Sequence, residues 1–306
     1  MRVLVAGAGG AIGRPVVRRL VSWGHEVSGI VRGSEGAARV TADGAIPVVA
    51  NVLDFDEVVK AVVRARPEVV IDQLSALPRH YTPEAMRETL ARTNAVRVVG
   101  GANVQEAALV AGARRFLAQS GCYFYRPGDG LAEETEPFVS NGPPLVAANV
   151  AAFEQLEDRV RTLPDGTTGL VLRYGFFYGP GTWYSPEGDM GQQARAGQLG
   201  VLGSGDGVWS FVHLEDAAEF TARAAVESDA TGIVNVTDSD PVPMRDALSA
   251  FADFAGGEQP AVYPITEETD RDGVFYATAM RGASNRRARE EFSFDPRRLE
   301  WLRRET

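Results

Sequence analysis

The sequence predicts an α/β fold: a Rossmann-type, doubly wound parallel sheet with a smaller C-terminal substrate lobe. Three observations lead there. Short β-branched runs alternate with longer helical patterns as far as Arg173. A glycine-rich turn in "VLVAGAGGAIGRPVV" joins the first such run to the first helical pattern. Beyond Arg173 the chain turns irregular and rich in Gly, Pro and aromatics, as in "YGFFYGPGTWYSPEGDM".

Taken in order, strands are expected at Val3 to Ala6, Glu26 to Val31, Ala45 to Val49, Val69 to Gln73, Phe116 to Gln119 and Leu170 to Arg173. Helices fill Ala11 to Trp23, Phe55 to Ala65, Pro83 to Ala111 and Leu145 to Leu163. In the last, Leu145, Ala152, Phe153, Leu156 and Val160 share one face, so it should pack on the sheet. Strands separated by helices pair in parallel, because a crossover must return to the same edge. Regular character returns at "WSFVHLEDAAEFTARAAV" and "GIVNVTD". This assigns residues 1–173, with returns at about 208–240, to the dinucleotide-binding domain, and residues 174–207 and 241–306 to the lobe.

A net charge of −10 and a pI near 5.0 disfavour nucleic acid or an anionic membrane as partner, since both need a basic face. Neither a long apolar span nor a leader pattern is visible, so a cytoplasmic protein acting on a small molecule is expected. Cys122 is the one cysteine, which leaves no intramolecular disulfide and no structural zinc site, and no metal is expected. Lys60 is the one lysine; arginine carries nearly all the positive charge.

Gly7, Gly10 and Gly13 stand between the first strand and first helix, where a tight turn lets backbone N–H groups meet a pyrophosphate at a helix N-terminus. At the end of the second strand an acidic residue would favour NAD by binding the ribose hydroxyls; "IVRGS" places Arg32 there. A guanidinium pairs with a 2′-phosphate, so NADP is the expected cofactor, with NAD not excluded.

The Gly-x-x-Gly-x-x-Gly spacing, with "LRYGFFYGPG", "FVHLEDAAEF" and "GIVNVTD", resembles the extended short-chain dehydrogenase/reductase family of the NAD-dependent epimerase/dehydratase type. The resemblance implies a pyrophosphate site at Gly10, Ala11, Ile12 and Gly13, and adenine contacts at Asn51 and Val52. Leu74, Ser75 and Ala76 would line ribose and nicotinamide, with Tyr174, Gly175 and Phe176 approaching the nicotinamide. A dimer through the long helices at 83–111 and 145–163 is also implied by resemblance.

Members of that family carry a Ser or Thr after the fifth strand and a Tyr-x-x-x-Lys on the next helix. Here the match puts Gly121 at the serine position, with Ser120 one residue early, and Val146 and Val150 at the tyrosine and lysine. No Tyr-x-x-x-Lys occurs anywhere in the chain. A positioned general acid contributes roughly 10²- to 10⁴-fold, so ordinary ketone reduction is disfavoured.

Candidates for a substitute are Tyr123 in "SGCYFYRPGD" with its neighbour Ser120, Asn149 as an amide donor on the helix of the missing pair, and His80 on the loop "SALPRHYTPE". Tyr123 equally fits an aromatic pocket wall. His213 is expected to pack or cap, Asp216 to cap a helix, and Cys122 to be a small core residue. Phe176, Phe177, Tyr178, Trp183, Tyr184 and Trp209 suit a pocket for a flat or apolar substrate. Arg195 and Arg281 are the obvious bases of the lobe, few for a sugar nucleotide.

The reading is thus an NADP-binding, atypical reductase of a small aromatic or polycyclic metabolite whose own electrophilicity replaces the relay, for instance an iminium ion or quinone-type enone. A non-redox dehydratase, cyclase or isomerase on the same fold, and a non-catalytic NADP sensor, are the alternatives.

Overall fold

The structure is a computed structural model describing residues 1–302. Its centre is a seven-stranded parallel sheet in the order β11-β6-β5-β4-β1-β2-β3. The chain begins β1 (Arg2–Ala6), α1 (Gly13–Ser22), β2 (Glu26–Val31), α2 (Ser34–Ala42) and β3 (Ile46–Val49). It continues α3 (Phe55–Ala65), β4 (Val69–Asp72), α4 (Pro83–Ala95), a π-helical turn (Val96–Gly100), α5 (Gly101–Val110) and β5 (Arg115–Gly121). Then come α6 (Pro144–Arg161) and β6 (Thr168–Tyr174). The strand order reverses between β1 and β4, which opens a crevice at the carboxyl ends of the strands.

Local chemistry sets these elements. Buried on both faces, Val3–Ala6 of β1, Val69–Ile71 of β4 and Phe116–Ala118 of β5 read as continuous apolar runs. The Asp54 side chain accepts from Glu57 N–H to start α3, and Thr82 does the same from Ala85 N–H before Pro83 at the start of α4. The helix expected over Pro83 to Ala111 is one rod interrupted by the π-turn. Helix α2 was not expected; Val40 is its one fully buried residue, so it has little apolar periodicity to read.

The remaining elements are β7 (Phe176–Tyr178), α7 (Asp189–Arg195), β8 (Gly200–Leu202), β9 (Val208–Trp209), β10 (Phe211–His213) and α8 (Leu214–Val226). They are followed by β11 (Gly232–Val236), β12 (Val242–Pro243), α9 (Met244–Phe254), β13 (Ala261–Tyr263), α10 (Arg271–Val274), a second π-turn (Phe275–Ala279) and α11 (Arg286–Phe292). Of the segments that return to regular structure, β11 joins the main sheet beside β6 and α8 packs on α1, whereas β9 and β10 pair with β12 and β7 in small two-stranded sheets.

Two apolar clusters flank the main sheet. A third is dominated by aromatics and gathers Phe124, Phe153, Phe176, Tyr184, Trp209 and Phe211 with Val146 and Val150 of α6. Asp272 of α10 accepts from the Val146 N–H at 2.9 Å, supplying the start of α6 with the acceptor its own Pro143 lacks. No helix among the described residues is long and apolar enough to cross a membrane.

Candidate active site

The glycine turn fits a dinucleotide pyrophosphate. Gly7 has φ +78°, and a Cβ there would sit 2.5 Å from the Gln73 carbonyl oxygen; one on Gly13 would sit 2.2 Å from that of Gly7. Only hydrogen at both positions lets the turn close against β4 and bring α1 up to it. Gly10 and Ala11 are exposed there, Ile12 has no side-chain cap, and the first turn of α1 carries no acid. The helix start therefore offers free N–H groups and uncompensated positive dipole to an anion.

Around this turn, Arg32 is exposed and forms no ion pair among the described residues. Arg39 on α2 lies beside Gly9: a Cβ on that glycine would be 3.9 Å from Arg39 Nε, which has no hydrogen-bond partner, while its Nη1 pairs with Glu35. Sequence reading missed this second guanidinium. The Asn51 side chain is turned into its own loop, its Oδ1 accepting from Leu53 N–H, and Val52 is buried. Leu74 and Ala76 are buried and Ser75 is exposed on the loop after β4. At the base of that loop Asp72 accepts from the Leu74 N–H at 2.9 Å; burial pushes its pKa up to about 6, against that hydrogen bond and the more distant Arg159.

The predicted substrate-side residues divide. Ser120 does not share a site with Tyr123. Its hydroxyl donates to Glu157 at 2.6 Å, beside the buried Glu157–Arg173 pair, also at 2.6 Å, and Tyr125. Burial opposes the charge of Arg173, but Glu157 outweighs it and raises the guanidinium pKa. Tyr174 is turned toward Gln73 and Thr221, with its hydroxyl in a buried hydrogen-bond chain. His80 is exposed; its Nδ1 meets Asp189 at 2.7 Å, and the same carboxylate accepts from Tyr81 N–H. Asp189 thereby ties the His80–Tyr81 loop to α7.

Tyr123 faces the aromatic cluster. Its ring lies 4.6 Å from that of Phe176 and its hydroxyl donates to the Gly175 carbonyl at 3.0 Å; burial raises its pKa far above that of free tyrosine. Opposite, Tyr81 stacks on Trp183 at 4.7 Å, and Trp209 donates its indole N–H to the Tyr276 carbonyl. Asn149 is buried: its amide donates to Leu145 and its oxygen accepts from Arg97 at 3.2 Å. Arg97, on the first π-turn, is a residue the sequence reading passed over, although an arginine inside "AVRVVGG" breaks an otherwise apolar run.

Other expectations resolve simply. His213 is buried and accepts from Glu215 N–H as the cap of α8. Asp216 therefore does not cap that helix; it forms a bidentate pair with Arg297 at 2.7 Å, because His213 already fills the cap. Cys122 is buried, which pushes its pKa up to about 12 and keeps it a thiol. Arg195 donates to the Pro186 and Ala255 carbonyls, and Arg281 pairs with Glu136.

The profile of the NAD dependent epimerase/dehydratase family matches residues 3–237. A 3-diazoavenalumate denitrifying reductase of a Streptomyces species is 42% identical over 308 residues, covering 98% of each chain. Among solved structures, the UDP-glucose 4-epimerase of Thermus thermophilus in complex with NAD superposes with TM-score 0.76 at 25% identity, over 98% of this chain and 96% of that one. The dTDP-glucose 4,6-dehydratase of Streptomyces venezuelae, with NAD bound, superposes with TM-score 0.78 at 18% identity over 98% and 93%, which speaks to the fold alone. The chain belongs to the NAD dependent epimerase/dehydratase family, and is a nicotinamide-nucleotide-dependent enzyme of the oxidoreductase type.

Proposed function

We propose that the protein is an NADP-dependent reductase of a small aromatic metabolite that carries its own electrophile and so needs no proton from the protein. One observation carries this reading. Where the family resemblance locates the acid and its activator, α6 bears Val146 and Val150, both buried in the aromatic cluster, while the lone lysine, Lys60, is exposed on α3.

When bound, the nicotinamide supplies hydride. A ketone receiving it becomes an alkoxide and needs a proton donor, and the hydroxyl of Tyr123, in the aromatic cluster, is committed to the Gly175 carbonyl. A cationic or quinone-type electrophile has no such need. The name of the Streptomyces relative, a denitrifying reductase of a diazo compound, supports this class. When a diazonium carbon gains hydride, a C–H bond forms, the C–N bond breaks with its electron pair going to nitrogen, and neutral dinitrogen leaves. No proton is consumed.

The residues of this chain then bind, orient and shield. The Tyr123–Phe176 and Tyr81–Trp183 pairs are flat apolar walls that hold an aromatic ring and keep water from the reacting carbon. Arg32, with Arg39 behind it, supports NADP over NAD: both guanidinium groups lie on the segment following β2, where the 2′-phosphate would need a donor.

The test is NADPH consumption, corrected for the enzyme-free reaction, with an aryl diazonium carboxylate, a quinone-type enone, a simple aryl ketone and UDP-glucose. One NADPH per product with the diazonium or the enone, and none with the ketone, is the expected result. Comparable turnover of the ketone or of UDP-glucose, or no NADPH consumption with any of the four, would defeat the reading.

A further inference from the structure

Three arginines among the described residues are fully buried: Arg97, Arg115 and Arg173. Two are satisfied. Arg173 has Glu157 and the Tyr125 hydroxyl, and Arg115 donates to the Ala224 and Ala230 carbonyls and to Thr168. Arg97 differs. Its Nη1 reaches the side-chain oxygens of Asn94 at 3.4 Å and Asn149 at 3.2 Å, but the buried Nε meets no acceptor, and no hydrogen bond among the described residues uses Nη2. No carboxylate among the described residues pairs with it. The face of the group rests 4.7 Å from the centre of the Phe153 ring, a partial compensation for lost water.

A buried cation with open donors and no counter-charge is unfavourable unless something brings the missing acceptor. Burial indeed pulls the Arg97 pKa down to about 10, and the groups facing it are two tyrosines of the aromatic cluster, Tyr123 and Tyr276. Arg97 and Tyr276 each sit on one of the two π-turns among the described residues. In such a turn one extra residue re-aims the side chains around it, and these turns recur at functional sites.

We propose that Arg97 is the anion-recognition residue beside the aromatic cluster, and that the substrate is an aromatic compound bearing one anionic oxygen, a carboxylate or a phenolate. A single open guanidinium among apolar rings suits one negative charge. A sugar nucleotide brings two, and the other basic residues named for the lobe, Arg195 and Arg281, are already committed. This deepens the reductase reading by naming the substrate class, yet it concerns binding alone and stands or falls separately from turnover.

The experiment is a titration of the NADP⁺-loaded protein, followed by quenching of tryptophan fluorescence, with two matched pairs: cinnamate against methyl cinnamate, and 4-nitrophenolate against 4-nitroanisole. Wild type should bind the anion of at least one pair about tenfold or more tightly than its neutral partner, the scale of a charge-assisted hydrogen bond. The pair that discriminates identifies the oxygen as carboxylate or phenolate. In Arg97→Gln and Arg97→Met that preference should fall to about twofold or less, in Arg97→Lys it should survive in part, and NADP⁺ affinity should not change. Both neutral variants should melt no lower than wild type, because no protein anion loses its partner. Equal binding of anion and neutral partner in wild type overturns the proposal, as does a preference that persists in both variants. Collapse of both variants on heating would make Arg97 a packing element and overturn it equally. Discrimination without NADPH turnover would keep this assignment while ending the reductase reading.

Discussion

Replacing Tyr123 by phenylalanine separates a wall from an acid. The ring contacts, 4.6 Å to Phe176 and 5.9 Å to Phe124, belong to atoms both residues share, so the aromatic cluster keeps its packing. What goes is one hydrogen bond of 3.0 Å, and the Gly175 carbonyl loses its donor. A buried acceptor left unpaired costs about 1–3 kcal/mol, so the variant should unfold at lower denaturant with an unchanged slope. Turnover should change by no more than about threefold, since a wall contributes position but no proton. A general acid would behave otherwise: losing roughly 10²- to 10⁴-fold corresponds to about 3–5 kcal/mol of barrier. The assay is the rate at saturating NADPH with the substrate class proposed above, run beside a calorimetric measurement of NADPH affinity. A fall of about 100-fold with affinity intact would restore Tyr123 as the proton donor and refute the relay-free mechanism.

Other expectations follow from the same geometry. Gly13→Ala places a methyl 2.2 Å from the Gly7 carbonyl oxygen, so α1 must move away from the turn, and calorimetry should find NADPH binding weakened at least about tenfold in a protein that still folds; unchanged affinity would remove the turn from the cofactor site. Arg32→Ala should cost NADPH about 10- to 100-fold in affinity, the worth of charge-assisted hydrogen bonds, and leave NADH alone; equal loss for both nucleotides would refute a 2′-phosphate contact, and the same loss from Arg39→Ala instead would shift the role to α2. Asp72 supplies a pH test. With its folded pKa raised from 3.8 to about 6, its contribution to stability is fully present below pH 4 and is lost as the pH rises through 6. Asp72→Asn should thus gain on wild type across that window, by about 3 kcal/mol at pH 7 on the scale of 1.36 kcal/mol per pH unit, in denaturant titrations at several pH values; a constant difference would mean the carboxyl titrates normally.

How far the sequence could be read depends on how local each requirement is. The strands of the main sheet and the glycine turn were legible because β-branching, burial and the absence of a Cβ at Gly7 and Gly13 act over a few residues. Helix α2 was not, since its sequence "SEGAARVTA" packs through little more than Val40 and has no apolar stripe to show. At the site, residue types were easier to name than directions. Ser120 and Tyr123 are three residues apart, yet Ser120 points to Glu157 under α6 while Tyr123 lies against Phe176. Strand β5 ends at Gly121, and past that point strand alternation no longer fixes where a side chain goes. His80 was visible as a titratable loop residue, but its tie to Asp189 spans 109 positions in sequence and could not be foreseen. Arg97 was passed over because an arginine within a long helix is ordinarily solvated, and a π-turn leaves no mark in hydrophobic spacing.

The interrupted rod from Pro83 to Val110 also bears on how the packing beside the aromatic cluster can change over generations. A regular α-helix turns each residue by about 100°, so a helix of fixed ends absorbs one additional codon by widening a single turn. Here that widened turn is Val96–Gly100, buried at Val96, Arg97 and Gly100, and the helix on either side runs on regularly. Loss or gain of one codon there would rotate which residue meets the aromatic cluster in place of Arg97. The surroundings of Phe153 are therefore adjustable by length as well as by substitution, through a kind of genetic change that comparisons made position by position would register as a gap.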